Sequence, residues 1–370
     1  MSISDAVVIE QGEILCSLGQ LQETVSDIFE NQSAIIPGPC FGVPVSYAPF
    51  KNHAWRGLAT AARALRNAID AADLDKNETV FIFCAAKGDL TPLEDSFTLK
   101  NNPIDFSPLL FSQASHVKTV LGIADCRSIV VSNACASGAI GVQIAREMLM
   151  DGTCKNAVLF GFDGVSRFVA TGFNSLSALS KTSAKPFDAL RDGLTLGDGA
   201  CVAVLSYREP FEDDIVVMGA ASSNDANHRT GPSRTGEGLY RAAASALHDA
   251  MMAPHAIGAV KCHGTATSYN DAMEAKAIAS LFGKEIPPCF SIKGAIGHTS
   301  GAGSLLEIMV AAECLRRRKV PPTCGFETLG VDEQLPIYAA AQTLDRQSML
   351  CLSAGFGGIN AAVVLAEHAL

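Results

Sequence analysis

The stretch Ser128–Gly152, SIVVSNACASGAIGVQIAREMLMDG, constrains the fold more than any other part of the chain. Ile129, Val130 and Val131 are β-branched in succession and read as a short buried strand. From Ala139 to Met150 apolar residues recur at helical spacing, with Gly152 as the stop. Between the two lie only small residues: Ser132, Asn133, Ala134, Cys135, Ala136, Ser137 and Gly138. A strand that turns into a helix at such a corner puts Cys135 near a helix N-terminus. Unpaired N–H groups and the macrodipole favour a thiolate there. The small neighbours leave room for a substrate to reach the sulfur. A buried structural cysteine fits the same residues, since free cysteine is among the most buried side chains.

The flanking segments read as an α/β chain built twice. Ala6–Ile9 reads as a first strand with Gly12 and Gly19 in the turns after it, and Gln20–Asn31 as a helix. Leu58–Ala72 and Leu109–Leu121 carry helical periodicity. The unbroken apolar runs Thr79–Ala85, Asn156–Phe162 and Ala200–Tyr207 are the pattern of strands covered on both faces. Lys87–Pro108 and Thr171–Gly199 read as loops, the second on the substrate side. A second series follows: a strand at Ile215–Ala221, a helix at Gly238–Met252, a strand at Ile257–Cys262 and a helix at Asp271–Leu281. After these come a short strand at Cys289–Ile292, a helix at Gly301–Arg317, and strands at Met349–Ser353 and Ala361–Ala366 around a glycine-rich turn. Both series pass from strand through a small-residue turn into a long helix. That repetition predicts an internal duplication, with one half over residues 1–208 and the other over 209–370.

Composition narrows the function classes. A net charge of −10 over 370 residues argues against a nucleic-acid surface, though an acidic carrier protein could still dock on a local basic patch. The twelve cysteines form neither CxxC pairs nor His/Cys clusters of zinc spacing, so no metal is expected. Asp5, Glu10 and Glu13 interrupt any apolar run of a signal peptide, and no stretch is long enough to span a bilayer. The expectation is a cytoplasmic protein with reduced thiols.

Three further glycine-rich segments sit where strands end, the usual place for ligand sites in α/β sheets. They are KCHGTATSYN from Lys261, SIKGAIGHTSGAGS from Ser291 and SAGFGGIN from Ser353. With the Cys135 corner they form four motifs in fixed order, and they resemble the β-ketoacyl synthases of the Cys-His-His type, members of the thiolase superfamily. The landmarks ALS at Ala178, KPFDALRDG at Lys185 and GDGA at Gly197 fit the same family. The resemblance runs from about Arg56 onward. It implies a thiolase-like fold of two duplicated halves in a five-layered αβαβα arrangement.

The resemblance further implies decarboxylative Claisen condensation, with Cys135 as nucleophile and His263 and His298 as donors to an enolate oxygen. Lys293 would order the surroundings of the second histidine and pair with Glu307. Thr265 and Thr267 would bind a pantetheine arm, Gly357 would belong to the substrate-binding turn, and Phe356 would lie against Cys135 and gate the acyl pocket. Substrates would arrive on the phosphopantetheine of an acyl carrier protein, with no other cofactor. The chain would work as a homodimer or with another ketosynthase-like subunit, in fatty-acid or specialised polyketide pathways such as aryl-polyene-like ones. The loop Lys181–Lys185 is shorter than is usual before the PFD motif. Two rivals remain. A coenzyme A-dependent thiolase or acyltransferase would place Cys351 beside Cys135, whereas the apolar run around Cys351 reads as core. A non-elongating, chain-length-factor-like partner subunit would block the way to Cys135.

Overall fold

Residues 5–72, 74–98 and 109–368 are described by a computed structural model. Its main sheet is made of one five-strand pattern used twice. The first copy holds β1 (Ala6–Leu15), β2 (Thr79–Cys84), β3 (Arg127–Val131), β4 (Asn156–Asp163) and β5 (Gly199–Arg208). The second holds β6 (Ile215–Asn224), β7 (Ala259–Lys261), β8 (Cys289–Phe290), β9 (Ser348–Gly355) and β10 (Ile359–Glu367). Across the sheet the order is β8-β7-β9-β10-β6-β1-β5-β4-β2-β3. In each copy the first strand runs antiparallel to the fifth and the fifth antiparallel to the fourth. The fourth and third strands flank the second in parallel. The copies join along β1 and β6 through the pair Val8–Val216.

The longer helices that cover the sheet, among the described residues, are α1 (Leu21–Phe29), α2 (Leu58–Leu65), α3 (Leu110–Val120), α4 (Ser137–Met150), α5 (Glu237–Asp249), α6 (Ser268–Phe282) and α7 (Ser300–Arg316). Side chains alternate across a strand, so β2 sends Ile82 and Cys84 to one face and Phe81 and Phe83 to the other. On the inner face Val142 and Leu149 of α4 meet Leu305 and Met309 of α7 in one core shared by both copies. On the outer faces α2 and α3 cover the first copy, and α5 and α6 cover the second. The result is five layers, αβαβα. Each large aliphatic side chain buried in them contributes about 1.5–3 kcal/mol.

The inner helices explain two features of the sequence. In α7 every residue from Gly301 to Leu315 is buried, which accounts for its apolar composition on all sides. At Gly138 an added Cβ would lie 2.3 Å from the Leu305 amide nitrogen, so α4 and α7 touch where only glycine fits.

Three expectations change. Gly12 is not in a turn but inside β1, where an added Cβ would meet the Met309 sulfur at 2.4 Å, and β1 extends to Leu15 because α7 presses on it there. A helix at Arg167–Ser175 occupies the start of the expected Thr171–Gly199 loop. Ser166 caps it by accepting from the Val169 amide at 3.3 Å, and the Glu94 carboxylate accepts from Arg167 and Phe168 at 3.1 and 2.7 Å. Glu94 itself lies on a helix, Thr91–Thr98, inside the expected Lys87–Pro108 loop, whose remainder falls outside the described residues.

Candidate active site

The corner that carries Cys135 is held by its own backbone. Ala134 has a φ of 50°, a left-handed conformation that costs a non-glycine residue roughly 1–2 kcal/mol. Ser137 compensates: its Oγ accepts from the Asn133 amide at 2.9 Å and donates to the Ala134 carbonyl at 2.7 Å. This pins the turn just before α4 begins. Cys135 is 8% exposed and lines a cavity of about 480 Å³. Burial pushes its thiol up to about 12, while the Lys293 ammonium and a hydrogen bond from the Phe356 N–H oppose that push.

Strand alternation positions the first histidine. Val260 and Cys262 enter the outer core of the second copy, so Lys261 and His263 face the opposite way, toward α7. Glu274 on α6 fixes the turn by accepting from the His263 and Gly264 amides at 2.6 and 2.8 Å. The second histidine, His298, precedes α7 and donates its backbone N–H to the Thr195 carbonyl at 2.6 Å. Its Nε2 lies 3.0 Å from Cys135 Sγ, and the two imidazoles meet edge to face with centroids 5.4 Å apart. Among the described residues, His298 Nδ1 is buried without a hydrogen-bond partner. Burial and the nearby lysines push His298 down to about 3 and His263 well below the usual range, so both rings are neutral near neutral pH.

Lys293 does pair with Glu307, but its hydrogen bonds go to the first histidine, and it reaches the second only through its charge. Its Nζ donates to the His263 carbonyl at 2.6 Å and stands 3.4 Å from His263 Nδ1. An ammonium only donates, so Nδ1 accepts and His263 carries its proton on Nε2. The helical turn Lys293–Ile296 begins at this lysine, three residues past the short strand β8, and that places Nζ under the end of β7. Glu307 has a second partner that the motifs did not mark. Lys261 bonds its other oxygen and donates to the Leu352 carbonyl at 2.8 Å. The signal was present in the spacing, because a residue two before His263 on a strand shares its face.

At the cavity wall Thr265 Oγ1 and Thr267 Oγ1 are 3.0 Å apart. The Phe356 ring stacks on Phe173 at 5.4 Å between centroids, while its backbone, rather than its ring, bonds to Cys135. Phe173 belongs to the unforeseen helix Arg167–Ser175 and was missed with it. The turn Gly355–Gly358 is tethered at its tip, where Gly357 donates to the Arg229 carbonyl at 2.8 Å and accepts from Asn224 Nδ2 at 3.1 Å. Cys351 is buried in β9, paired with Lys261 and away from the cavity wall. Asp163, at the end of β4, was also missed. It accepts from the amides of Ala86, Lys87, Gly88, Gly301 and Ala302 at 2.7–3.2 Å, and so fastens the end of β2 to the start of α7. Among the described residues no cluster of His, Cys, Asp or Glu is placed to hold a metal ion, and no helix is long and apolar enough to cross a membrane.

Known proteins with this arrangement converge on one family. Residues 53–210 match the family model described as "Beta-ketoacyl synthase, N-terminal domain", and residues 215–327 match its C-terminal counterpart. A putative polyketide beta-ketoacyl synthase 1 of Streptomyces virginiae is 31% identical over 270 residues, 69% of this chain and 63% of that protein. A 3-oxoacyl-[acyl-carrier-protein] synthase 2 of Vibrio cholerae is 32% identical over 257 residues, 64% of this chain and 61% of that protein. The chain thus spans about three fifths of the length of these curated relatives. The fold is shared with a ketosynthase (ApeO) in complex with its chain length factor (ApeC) from Xenorhabdus doucetiae. The TM-score there is 0.87 at 24% identity, over 98% of both chains. The ishigamide ketosynthase/chain length factor matches at a TM-score of 0.87 and 23% identity over 99% of this chain and all of that one (100%). Both family models fall on this chain in order, with the cysteine under the first and both histidines under the second, and the chain therefore belongs to the β-ketoacyl synthase family.

Proposed function

We propose that this chain is a β-ketoacyl synthase that condenses a carrier-bound malonyl unit with an acyl group held on Cys135. The observation that carries the reading is the 3.0 Å approach of His298 Nε2 to Cys135 Sγ, with His263 edge-on to His298 on the same cavity. In the first step the sulfur attacks an acyl thioester. His298 is within reach of the thiol proton and passes it to the departing pantetheine thiolate. The N–H groups of Cys135 and Phe356 face the acyl oxygen as its negative charge develops. In the second step malonyl loses carbon dioxide and its C–C bonding electrons move onto the thioester oxygen. His263 through Nε2–H stabilises that enolate, joined by His298 once the single proton of its ring is on Nε2. The enolate carbon attacks the acyl carbonyl, and collapse of the adduct expels the Cys135 thiolate, which takes a proton from solvent to restore the thiol.

Thr265 and Thr267 supply hydroxyls for the pantetheine arm, Gly357 belongs to the substrate-binding turn, and Phe356 gates the acyl channel. Lys293 and Glu307 support the histidines. An acyl carrier protein delivers both substrates, and a ketosynthase-like subunit, identical or different, completes the assembly. The ketosynthase ApeO, which shares this fold, is in complex with its chain length factor ApeC. In this reading residues 1–208 carry the nucleophile and residues 209–370 the histidines and gate. Incubation with a panel of acyl-carrier thioesters, followed by intact mass spectrometry, tests it. The expected result is an acyl adduct that maps to Cys135 and vanishes in Cys135→Ser. An adduct on Cys351, or none with any thioester, sinks the reading.

A further inference from the structure

Glu307 is bonded by two ammonium groups, Lys293 on Oε1 and Lys261 on Oε2, and all three side chains are at most 3% exposed. Two ammonium groups bond this one carboxylate; the other buried carboxylate beside them, Glu274, is taken up by the His263 and Gly264 amides and pushed up to about 7 by burial, so it offsets the extra positive charge only in part. Buried ions are ordinarily matched, because an uncompensated charge is costly. Lys293 alone would neutralise Glu307, so pairing does not require Lys261. Nor does Lys261 line the cavity. It sits two residues before His263 on β7, with the Leu352 carbonyl of β9 as its second partner.

We infer that Lys261 is a positioning residue for the reaction: by sharing Glu307 with Lys293 it leaves an unbalanced positive charge behind His263, where it favours negative charge on the Cys135 sulfur and on an enolate oxygen in the cavity. Without Lys261 the Lys293–Glu307 pair is neutral and exerts little net field. Glu307 would then also draw Lys293 Nζ away from the His263 carbonyl. The groups facing this cluster are Glu274 from α6, Cys351 from β9, and His263, His298 and Cys135 themselves, with Asp163 beyond Cys135. Lys261 is one of the charges that push His263 toward its neutral form, in keeping with this direction.

The enolate part of this inference rests on the proposed condensation; the sulfur part does not. Two measurements on Lys261→Met, Lys261→Gln and Lys261→Arg separate the two. One is the rate of iodoacetamide alkylation of Cys135 at pH 8, followed by peptide mapping. The other is kcat and KM for decarboxylation of a malonyl-carrier thioester. The neutral variants should alkylate about tenfold more slowly, the scale of one buried charge at an effective dielectric of about 20. Their kcat should fall similarly, with KM within twofold of the unchanged protein. Lys261→Arg, which keeps the charge, should stay within threefold in both. Wild-type alkylation in Lys261→Met overturns the inference. So does recovery in Lys261→Gln, which would mean that a hydrogen bond suffices, or equal impairment in Lys261→Arg, which would mean that shape decides. If Lys261→Met does not fold by circular dichroism, Lys261→Gln carries the comparison, and loss of fold in both makes the lysine structural. A wild-type protein that decarboxylates no malonyl thioester refutes the condensation reading, while the alkylation series still decides Lys261.

Discussion

The two copies of the five-strand pattern share a frame and differ in what they place on it. In the first, the third strand leads through Cys135 into α4; in the second, the third strand leads through Lys293 and His298 into α7. Cys135 and His298 thus occupy matching junctions of the duplicated frame, and these face each other at 3.0 Å. The first junction works with backbone alone: a left-handed Ala134, a hydroxyl brace from Ser137 and no charged side chain at the corner. The second is dense in buried ions, with Lys261, Glu274, Lys293 and Glu307 all at most 1–2% exposed. One copy presents a sulfur and the other supplies the field around it. Duplication yields the meeting point, and divergence makes the two sides complementary.

The largest effect expected from breaking this division lies in the histidines. His263→Ala and His298→Ala should each lower malonyl decarboxylation about a hundred- to a thousand-fold, the usual consequence of losing one preorganised donor. Some acylation of Cys135 should survive in both, because the nucleophile and the Cys135 and Phe356 amides are left in place. Single-turnover acylation measured beside decarboxylation tests this, and near-normal decarboxylation in either variant removes that residue from the mechanism.

A smaller effect concerns acid. His298 is held neutral with its pKa pushed down to about 3, against about 6.5 in an unfolded chain. A depressed pKa gives stability that is complete above 6.5 and drains away as pH falls toward 3. At pH 4.5 this one ring should account for a loss on the order of 2 kcal/mol. Urea unfolding of the wild type and of His298→Asn between pH 7 and 4.5 measures it. The curves should converge as acid is added, and parallel curves would show that the ring does not titrate on unfolding.

The smallest expected change in stability is at the gate. Phe356 is only half-buried, and its stacking on Phe173 is the kind of contact worth about 0.5–1.5 kcal/mol. Phe356→Ala should therefore broaden acyl selectivity more than it lowers the melting temperature. A loss near the 3–5 kcal/mol of a core phenylalanine, with selectivity unchanged, would make the ring packing and not gate.

Most of this architecture was legible because buried strands and small-residue corners are local signals. The runs at Thr79–Cys84 and Asn156–Asp163 announce themselves by β-branched and aromatic content, and the corner at Cys135 by its lack of bulk. What escaped depends on partners distant in sequence. Gly12 looks like a turn until Met309 of α7 is laid against it. The helix Arg167–Ser175 is weak in local propensity, and besides its cap Ser166 its first amides are accepted by Glu94, far back in the chain. The hydrogen bonds of Lys293 to His263 were not legible because sequence separation favours His298, whereas the fold brings the end of β7 above the lysine. Lys261 and Asp163 acquire their roles only when strands from different parts of the chain are set side by side.

The shared inner layer bears on what a half of this protein is. α4 and α7 pack on each other between the two sheet halves, so the inner face of each copy is completed by the helix of the other. A polypeptide severed between Arg208 and Ile215 would give two fragments, each with a finished exterior and a raw apolar interior. Such pieces would be insoluble apart and competent only when recombined. The link between the copies therefore joins two parts that finish each other's core.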